Sequence, residues 1–503
     1  MNNASGEMSI ITSSALDIAH QLDSGALSSL QVVEAYLDQI ERYNRTGLGL
    51  NAIISVAPRE SVLAQARVLD EERRLGRIKS ELHGIPIVVK DAIVTDPSLG
   101  MPTTVGSHVF ASMKAKRNAG VVDKLLDAGM IIIGKGNMTE FCGLKSDEGM
   151  GWSSYGGQTQ SPYRRADLPD DDQPTPGGSS SGSAVSVLAG FCPIAIGTET
   201  TGSAVLPASC NGLYGVKLRP GSVPDDGIFT LSESFDGVGV IARTPRDCAA
   251  LAGVLTRNED WTNSSLEAFP WSELRIGAVA NDWGLYPSPK EKWSSPDIVK
   301  AYTSALETMR TNGADVIFPL PLVEHDILQH NGETLTTVAY HEFPGQVQKF
   351  IKNFETEANI KSLRDIIEWN KDHADIALPE PHSSQSELIK ALNNTMTEET
   401  GSEVVAKLHQ LADLGRQGGA MDLLNLDIIL APSDSTLVTF AACARWPIAT
   451  VPLGRWEKNG QPYGLFAVAR DGREDVLFRF MSMFHGTFKN VIDTPQGLFA
   501  NEN

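Results

Sequence analysis

Residues 177–203 read GGSSSGSAVSVLAGFCPIAIGTETTGS, a glycine- and serine-rich start that runs into small apolar residues. The stretch contains no histidine, and Glu199 is its only acid. Gly-Ser runs often act as flexible linkers. Here Ala184-Val185-Ser186-Val187-Leu188-Ala189 follows at once, the composition of a tightly packed helix over 183–189, with a strand expected over 192–197. A linker does not lead directly into core, so the stretch belongs to the fold. Its serines pose a chemical question, because serine is a poor nucleophile until a base takes its proton.

Outward from this segment, short apolar runs predict buried strands at 85–89, 130–133, 194–197, 238–242, 274–279, 316–320, 428–431, 448–451 and 465–468. Helical patterns lie between several of them: 121–127 closed by Gly129, 246–255, and 296–311 closed by Gly313. Ser28-Ser29-Leu30-Gln31 has capping-box spacing ahead of a helix expected at 29–42, and a second charged helix is expected at 60–75. Strand-helix alternation over this length implies an α/β fold, a largely buried sheet with helices on both faces. Residues 321–425 are polar, mostly helical and without a clear strand, an excursion beside the sheet where a substrate pocket can be shaped. The expectation is a single domain over 1–503, with an N-terminal helical region at about 12–78.

Composition bounds the function. The 503 residues are 41% hydrophobic and 21% charged, the balance of an ordinary globular protein with a large core. A formal net charge of -20 argues against binding nucleic acid through its backbone. The five cysteines are scattered without CxxC spacing, which fits reduced thiols better than a disulfide framework or a zinc site. MNNASGEMSIITSS lacks the basic start and long apolar run of a secretory signal, and no stretch approaches the roughly 18 apolar residues of a membrane span. A soluble, cytoplasmic protein is expected.

Two motif readings fail on context. Gly178-Ser179-Ser180-Ser181-Gly182 matches G-x-S-x-G, but the acidic, proline-containing run before it cannot be the strand that a nucleophile elbow needs. Gly129 through Lys135 has P-loop spacing, yet Gly136 stands where Ser or Thr must ligate magnesium, and the residues between look like a strand. No histidine falls in a recognisable nucleophile-base motif. The remaining base at neutral pH is a lysine whose pKa is lowered by burial. Lys90 ends the run Ile85-Pro86-Ile87-Val88-Val89; taken alone, that position reads as an exposed strand end paired with Asp91.

Three segments carry a family resemblance: His83 through Asp91 (HGIPIVVKD), Gly177 through Ser183 (GGSSSGS) and Gly197 through Ser203 (GTETTGS). Together they resemble the amidase signature family. Met101-Pro102-Thr103-Thr104, Gly134 through Phe141, Gly212 through Lys217 and Pro447 through Gly454 agree in order and spacing, over about residues 12–485. The resemblance implies a large mixed sheet core and a Ser-Ser-Lys triad: Ser203 as nucleophile, Ser179 as bridging serine, Lys90 as base. It also implies a cis peptide bond in the Gly178-Ser179-Ser180 region, and an oxyanion hole from the backbone N–H groups of Thr200, Thr201, Gly202 and Ser203. No metal or cofactor is implied. The partner is a small-molecule amide, no nucleic acid or membrane span is involved, and the assembly leaves room for a homodimer.

Some positions depart from the family pattern. Thr201 precedes Gly202, Val205 occupies the usual arginine position and Glu199 replaces the usual aspartate, so the buried acid-arginine pair is absent or rebuilt. The chain is more similar to a subgroup reading Gly-Thr-Glu-Thr-x-Gly-Ser. Substrate contacts are expected from Trp152, Ser153, Ser154 and Tyr155, from Tyr340 and Phe343 in the excursion, and from the loop 433–437. The implied activity is amide hydrolysis through an acyl-enzyme. An amide-forming acyltransferase uses the same chemistry and is not divided from an amidase by sequence. A glutamyl-tRNA amidotransferase A component is the third reading, and residues 321–425, with Ile366 through Asn370, look closer to stand-alone amidases.

Overall fold

The computed structural model describes residues 10–146, 149–258, 261, 269–284, 296–323, 325–355, 360–413, 420–433, 435–488 and 498. The strands in chain order are β1 (Ile53–Val56), β2 (Pro86–Lys90), β3 (Ile131–Gly136), the two-residue β4 (Trp152–Ser153) and β5 (Gly157–Gln158), β6 (Ile194–Glu199), β7 (Tyr214–Lys217), β8 (Gly237–Ala242), β9 (Arg275–Val279), β10 (Asp315–Leu320), β11 (Ile428–Pro432), β12 (Ile448–Arg455) and β13 (Pro462–Ala469). Among the described residues, all but β4 and β5 join one eleven-stranded sheet in the order β1-β3-β2-β6-β8-β7-β12-β13-β11-β9-β10. The centre of the sheet, from β6 to β11, is antiparallel. It is flanked by parallel pairings of β2 with β3 and β6 on one side, and of β9 with β10 and β11 on the other.

Every residue of β2, β3, β6, β11 and β13 is buried, so both faces of these strands are covered. That accounts for runs of continuous apolar residues in place of alternation. The helix Ser181–Leu188 packs across β2, β6 and β8, the helix Val205–Cys210 on β7, β12 and β13, and the helix Pro245–Thr256 on β7 and β8. At the N-terminal side, Ser28 and Gln31 form the expected capping box ahead of the helix Ser29–Tyr43, and a second helix spans Arg59–Arg74. Within 321–425, six helices from Leu335–Ile351 to Ala420–Leu423 form among the described residues, and no strand forms beyond isolated bridges.

The helix Ser181–Leu188 shows why the glycine-serine run is not a linker. All eight of its residues are buried. A Cβ on Gly182 would stand 2.1 Å from the Ala52 carbonyl oxygen and 2.3 Å from the Asn137 nitrogen. Only small side chains let this helix lie so close to the sheet. No strand precedes Ser179, which excludes the nucleophile elbow, and the P-loop-like segment is β3, with Lys135 inside the core.

Candidate active site

β2 and β6 run parallel and adjacent, with Val88 beside Ala195 and Val89 beside Ile196. Their carboxyl ends therefore present Lys90 and Thr198 to one point, the end of a parallel pair where ligands bind in open α/β sheets. The loop 177–180, which precedes the helix Ser181–Leu188, and the loop 200–204, which follows β6, meet over the same point. The Ser180 N–H donates to the Ser203 carbonyl at 3.0 Å, and the Ser180 hydroxyl lies 3.3 Å from both the nitrogen and the oxygen of Thr198. The Gly178–Ser179 peptide bond is cis.

Lys90 is fully buried, which corrects the reading of an exposed strand end. Its partner is not Asp91. That carboxylate accepts from Thr104 and Gly106 and faces Lys135 at 3.4 Å. Instead Lys90 Nζ lies 2.7 Å from Ser179 Oγ, 2.9 Å from Thr198 Oγ1 and 3.2 Å from the Thr198 carbonyl. An ammonium can donate to all three. A neutral amine can donate twice to Thr198 and accept the Ser179 hydroxyl proton on its lone pair, so the site satisfies both states. Burial pulls the Lys90 pKa below the ordinary lysine value; the Cys142 thiol beside it and the carboxylates of Asp236 and Glu199 pull in the other direction.

Ser203 sits in a loop held from beneath. Glu199 Oε2 accepts the N–H groups of Ala204 and Val205 at 2.7 and 2.9 Å. Gly202 has φ +81°, a left-handed conformation in which glycine carries no Cβ penalty. Among the described residues, the N–H groups of Thr201, Gly202 and Ser203 have no acceptor.

The expected substrate contacts divide. The Thr139 N–H donates to the Ser179 carbonyl at 3.1 Å and the Gly151 N–H to the Thr139 hydroxyl at 2.9 Å, which ties the 150–155 segment to the bridging serine. Trp152 stacks on His382 at 4.0 Å, with Lys145 5.2 Å above its ring. Ser153 donates to Asn137, Ser154 donates to Glu140 through both its nitrogen and its hydroxyl, and the Tyr155 ring is edge-on to His108. Tyr340 donates its hydroxyl to Glu387, and the Glu387 N–H reaches the Lys145 carbonyl at 3.2 Å. Phe343 lies in an aromatic cluster, fully buried with its ring 5.8 Å from that of Phe229. In the loop 433–437, Ser433 is buried and bonded to Ser209, while Asp434 lies outside the described residues.

Sequence reasoning missed several neighbours of the site. Cys142, in a left-handed conformation, places its sulfur 3.9 Å from Thr198 Oγ1 beside Lys90, and nothing in its spacing marks it. Asp236 and Lys217 lie under the 200–204 loop. A cavity of about 240 Å³ opens beside Asp236 and the end of β6, lined by Thr198, Ser232, Glu233, Asp236, Arg219 and Arg445 among others; Lys90, Ser179 and Ser203 do not line it.

The family model described as Amidase matches residues 31–478. A peptide amidase from Stenotrophomonas maltophilia superposes with TM-score 0.81 at 30% identity, covering 96% of this chain and 98% of that one. An amidase-named protein of Arabidopsis thaliana is 30% identical over 464 residues, 89% of this chain and 85% of its own. The A component of a glutamyl-tRNA(Gln) amidotransferase from Chloroflexus aggregans is 35% identical over 317 residues, 62% of this chain and 60% of its own.

Proposed function

This chain belongs to the amidase family, and from that premise we propose that it hydrolyses a small or medium carboxamide, peptide amides included, through an acyl-enzyme on Ser203. The observation that carries the mechanism is the buried Lys90 amine 2.7 Å from Ser179 Oγ, with Ser180 bonded to the Ser203 carbonyl. Neutral Lys90 accepts the Ser179 proton while Ser179 takes the proton of Ser203. The Ser203 oxygen bonds to the amide carbon, and the carbonyl electron pair moves onto oxygen. N–H groups from Thr200 through Ser203 are the donors for that oxyanion, each worth on the order of 3 kcal/mol in the transition state. The relay then runs backwards: the proton passes from Lys90 through Ser179 to the leaving nitrogen, and the C–N bond breaks. Water, deprotonated along the same path, resolves the acyl-enzyme to the acid. The chemistry asks for no metal or cofactor.

Support for a stand-alone amidase over an amidotransferase component comes from extent: the peptide amidase likeness spans the chain, whereas the amidotransferase match covers 62% of it. A cytoplasmic setting is supported by Cys142, Cys192, Cys210, Cys248 and Cys443, all free thiols. No described helix is long and apolar enough to cross a membrane. The test is a panel of aryl, alkyl, amino-acid and peptide amides assayed with and without an added amine. Acid as the main product supports hydrolysis; amide exchange in its place assigns the chain to acyl transfer, and full turnover by Ser203→Ala on any cleaved amide removes Ser203 from the mechanism.

A further inference from the structure

Lys217 ends β7 inside the protein, fully buried. Its Nζ donates to the Thr200 carbonyl at 2.6 Å and to the Phe235 carbonyl at 2.8 Å. Space for its stem comes from Gly237 on the neighbouring strand, where an added Cβ would stand 3.2 Å from Lys217 Cε and 2.7 Å from the Leu218 carbonyl oxygen. Thr200 is gripped a second time, through its hydroxyl, by Asp236 Oδ1 at 2.7 Å, while Asp236 Oδ2 accepts the Leu231 N–H at 2.8 Å. Beyond the nucleophile, Glu199 grips Ala204 and Val205. Residues 201–203 are thus suspended between two clamps. Their flanks are engaged, and their N–H groups point to no protein acceptor among the described residues.

Glu199 and Lys217 are buried and Asp236 is half-buried at the cavity wall. Burial disfavours the charged forms, lowering the Lys217 pKa and raising that of Asp236, and their mutual attraction opposes it. Their charges also bear on Lys90. With Lys90 neutral, Glu199 and Asp236 outweigh Lys217 by one negative charge; when Lys90 takes the serine proton, the four groups sum to zero. Val205 leaves no arginine at its own position, and Lys217 supplies the cation from the end of β7, at the same edge of the sheet as Glu199 at the end of β6. The groups facing Lys90 are Cys142, Asp236 and Glu199; those facing Lys217 are Glu199, Asp236, Cys443 and Arg445.

The geometry points to Lys217 as a positioning residue for amide hydrolysis: by holding the Thr200 carbonyl it keeps the amides of Thr201, Gly202 and Ser203 turned toward the oxyanion, and it offsets Glu199 and Asp236, the carboxylates that face Lys90. This rests on the reading that Ser203 is the nucleophile. In the full-length protein, Lys217→Met should lower kcat about 10²–10³-fold, the range for a lost oxyanion donor, with KM within about threefold. The rising limb of kcat/KM against pH should move to higher pH, because Glu199 and Asp236, which face Lys90, lose the cation that offsets them. Asp236→Asn should move the same limb to lower pH, and Thr200→Val should lower kcat with KM unchanged. Retention of kcat by Lys217→Met, a matching rise in KM, or limb shifts of the same sign in Lys217→Met and Asp236→Asn would overturn the inference. If Lys217→Met does not fold, Asp236→Asn and Thr200→Val decide alone: unchanged limb and kcat in both overturn it. Failure here is separable from failure of the Ser203 reading, since Ser203→Ala must abolish turnover for that reading to stand whatever Lys217 does.

Discussion

Two lysines, Lys90 and Lys135, are buried at equal depth on neighbouring strands, and their partners give them different work. Lys135 Nζ donates to the Ile93 carbonyl at 2.6 Å and to Thr103 at 2.8 Å and faces Asp91 at 3.4 Å; burial lowers its pKa to about 8 against the pull of that carboxylate. Lys90 has no carboxylate in contact and a serine hydroxyl at hydrogen-bond distance. We therefore expect Lys90→Met to reduce kcat/KM at pH 7 by about 10²–10⁴-fold, the usual weight of a positioned base. The loss should shrink at high pH, where hydroxide partly replaces the amine. The wild-type profile should rise with pH through a limb below the ordinary lysine value of about 10.4. Lys135→Met should leave the position of that limb unchanged and instead destabilise the fold by roughly 3–5 kcal/mol, because Asp91 keeps a buried charge without its partner. Urea unfolding and a pH-rate profile of the two variants separate the roles.

At the scale of elements, close approach decides what a segment can be. The helix Ser181–Leu188 lies against Ala52 and Asn137, beside the ends of β1 and β3, through Gly182, so Gly182→Ala should cost about 1–3 kcal/mol of overpacking or more, read by urea midpoint, and should lower kcat by displacing Ser179. Most strands were legible because residues buried on both faces leave continuous apolar runs: the runs at 194–197 and 428–431 became Ile194–Glu199 and Ile428–Pro432. Two sheet strands were not. β1 has four residues at the sheet edge, two of them buried, and β7 reads YGVK, with a glycine and a lysine in half its positions. Gly215 is there because a Cβ would stand 2.7 Å from that of Ala208 on the helix beneath, and Lys217 because its ammonium finds carbonyls indoors. Neither cause leaves a local pattern. For the same reason the end of β2 looked like solvent: charge predicts exposure until a fold supplies partners.

Across the whole molecule, the site is assembled from chain positions that only the fold brings together, Lys90 and Ser179 being 89 residues apart. The three candidate catalytic groups were legible through their motifs, whereas Cys142 and Asp236 are neighbours by topology alone, and Thr198 and Lys217, though inside the segments 197–203 and 212–217, carry no local mark of their place at the site. Long-range ties of this kind also hold the N-terminal helices. Asp247, on the helix Pro245–Thr256, accepts the N–H groups of Ala15 and Leu16 at 3.1 and 3.0 Å and anchors the helix Ala15–Asp23 across the sequence. Burial pushes the Asp247 pKa up to about 6 from 3.8. The folded state then holds that proton more tightly than the unfolded chain, so the group's contribution is greatest below pH 4 and is lost as pH rises through 6, a swing of roughly 3 kcal/mol. Asp247→Asn should flatten this part of the stability-pH curve, measured by urea unfolding between pH 4 and 7. The central claim, an acyl-enzyme on Ser203 formed with Lys90 as base, is tested most directly by treating the protein with a fluorophosphonate and mapping the adduct by peptide mass spectrometry. The account predicts modification of Ser203 at a rate that collapses in Lys90→Met; an adduct on Ser179 or another residue, or an undiminished rate without Lys90, would contradict it.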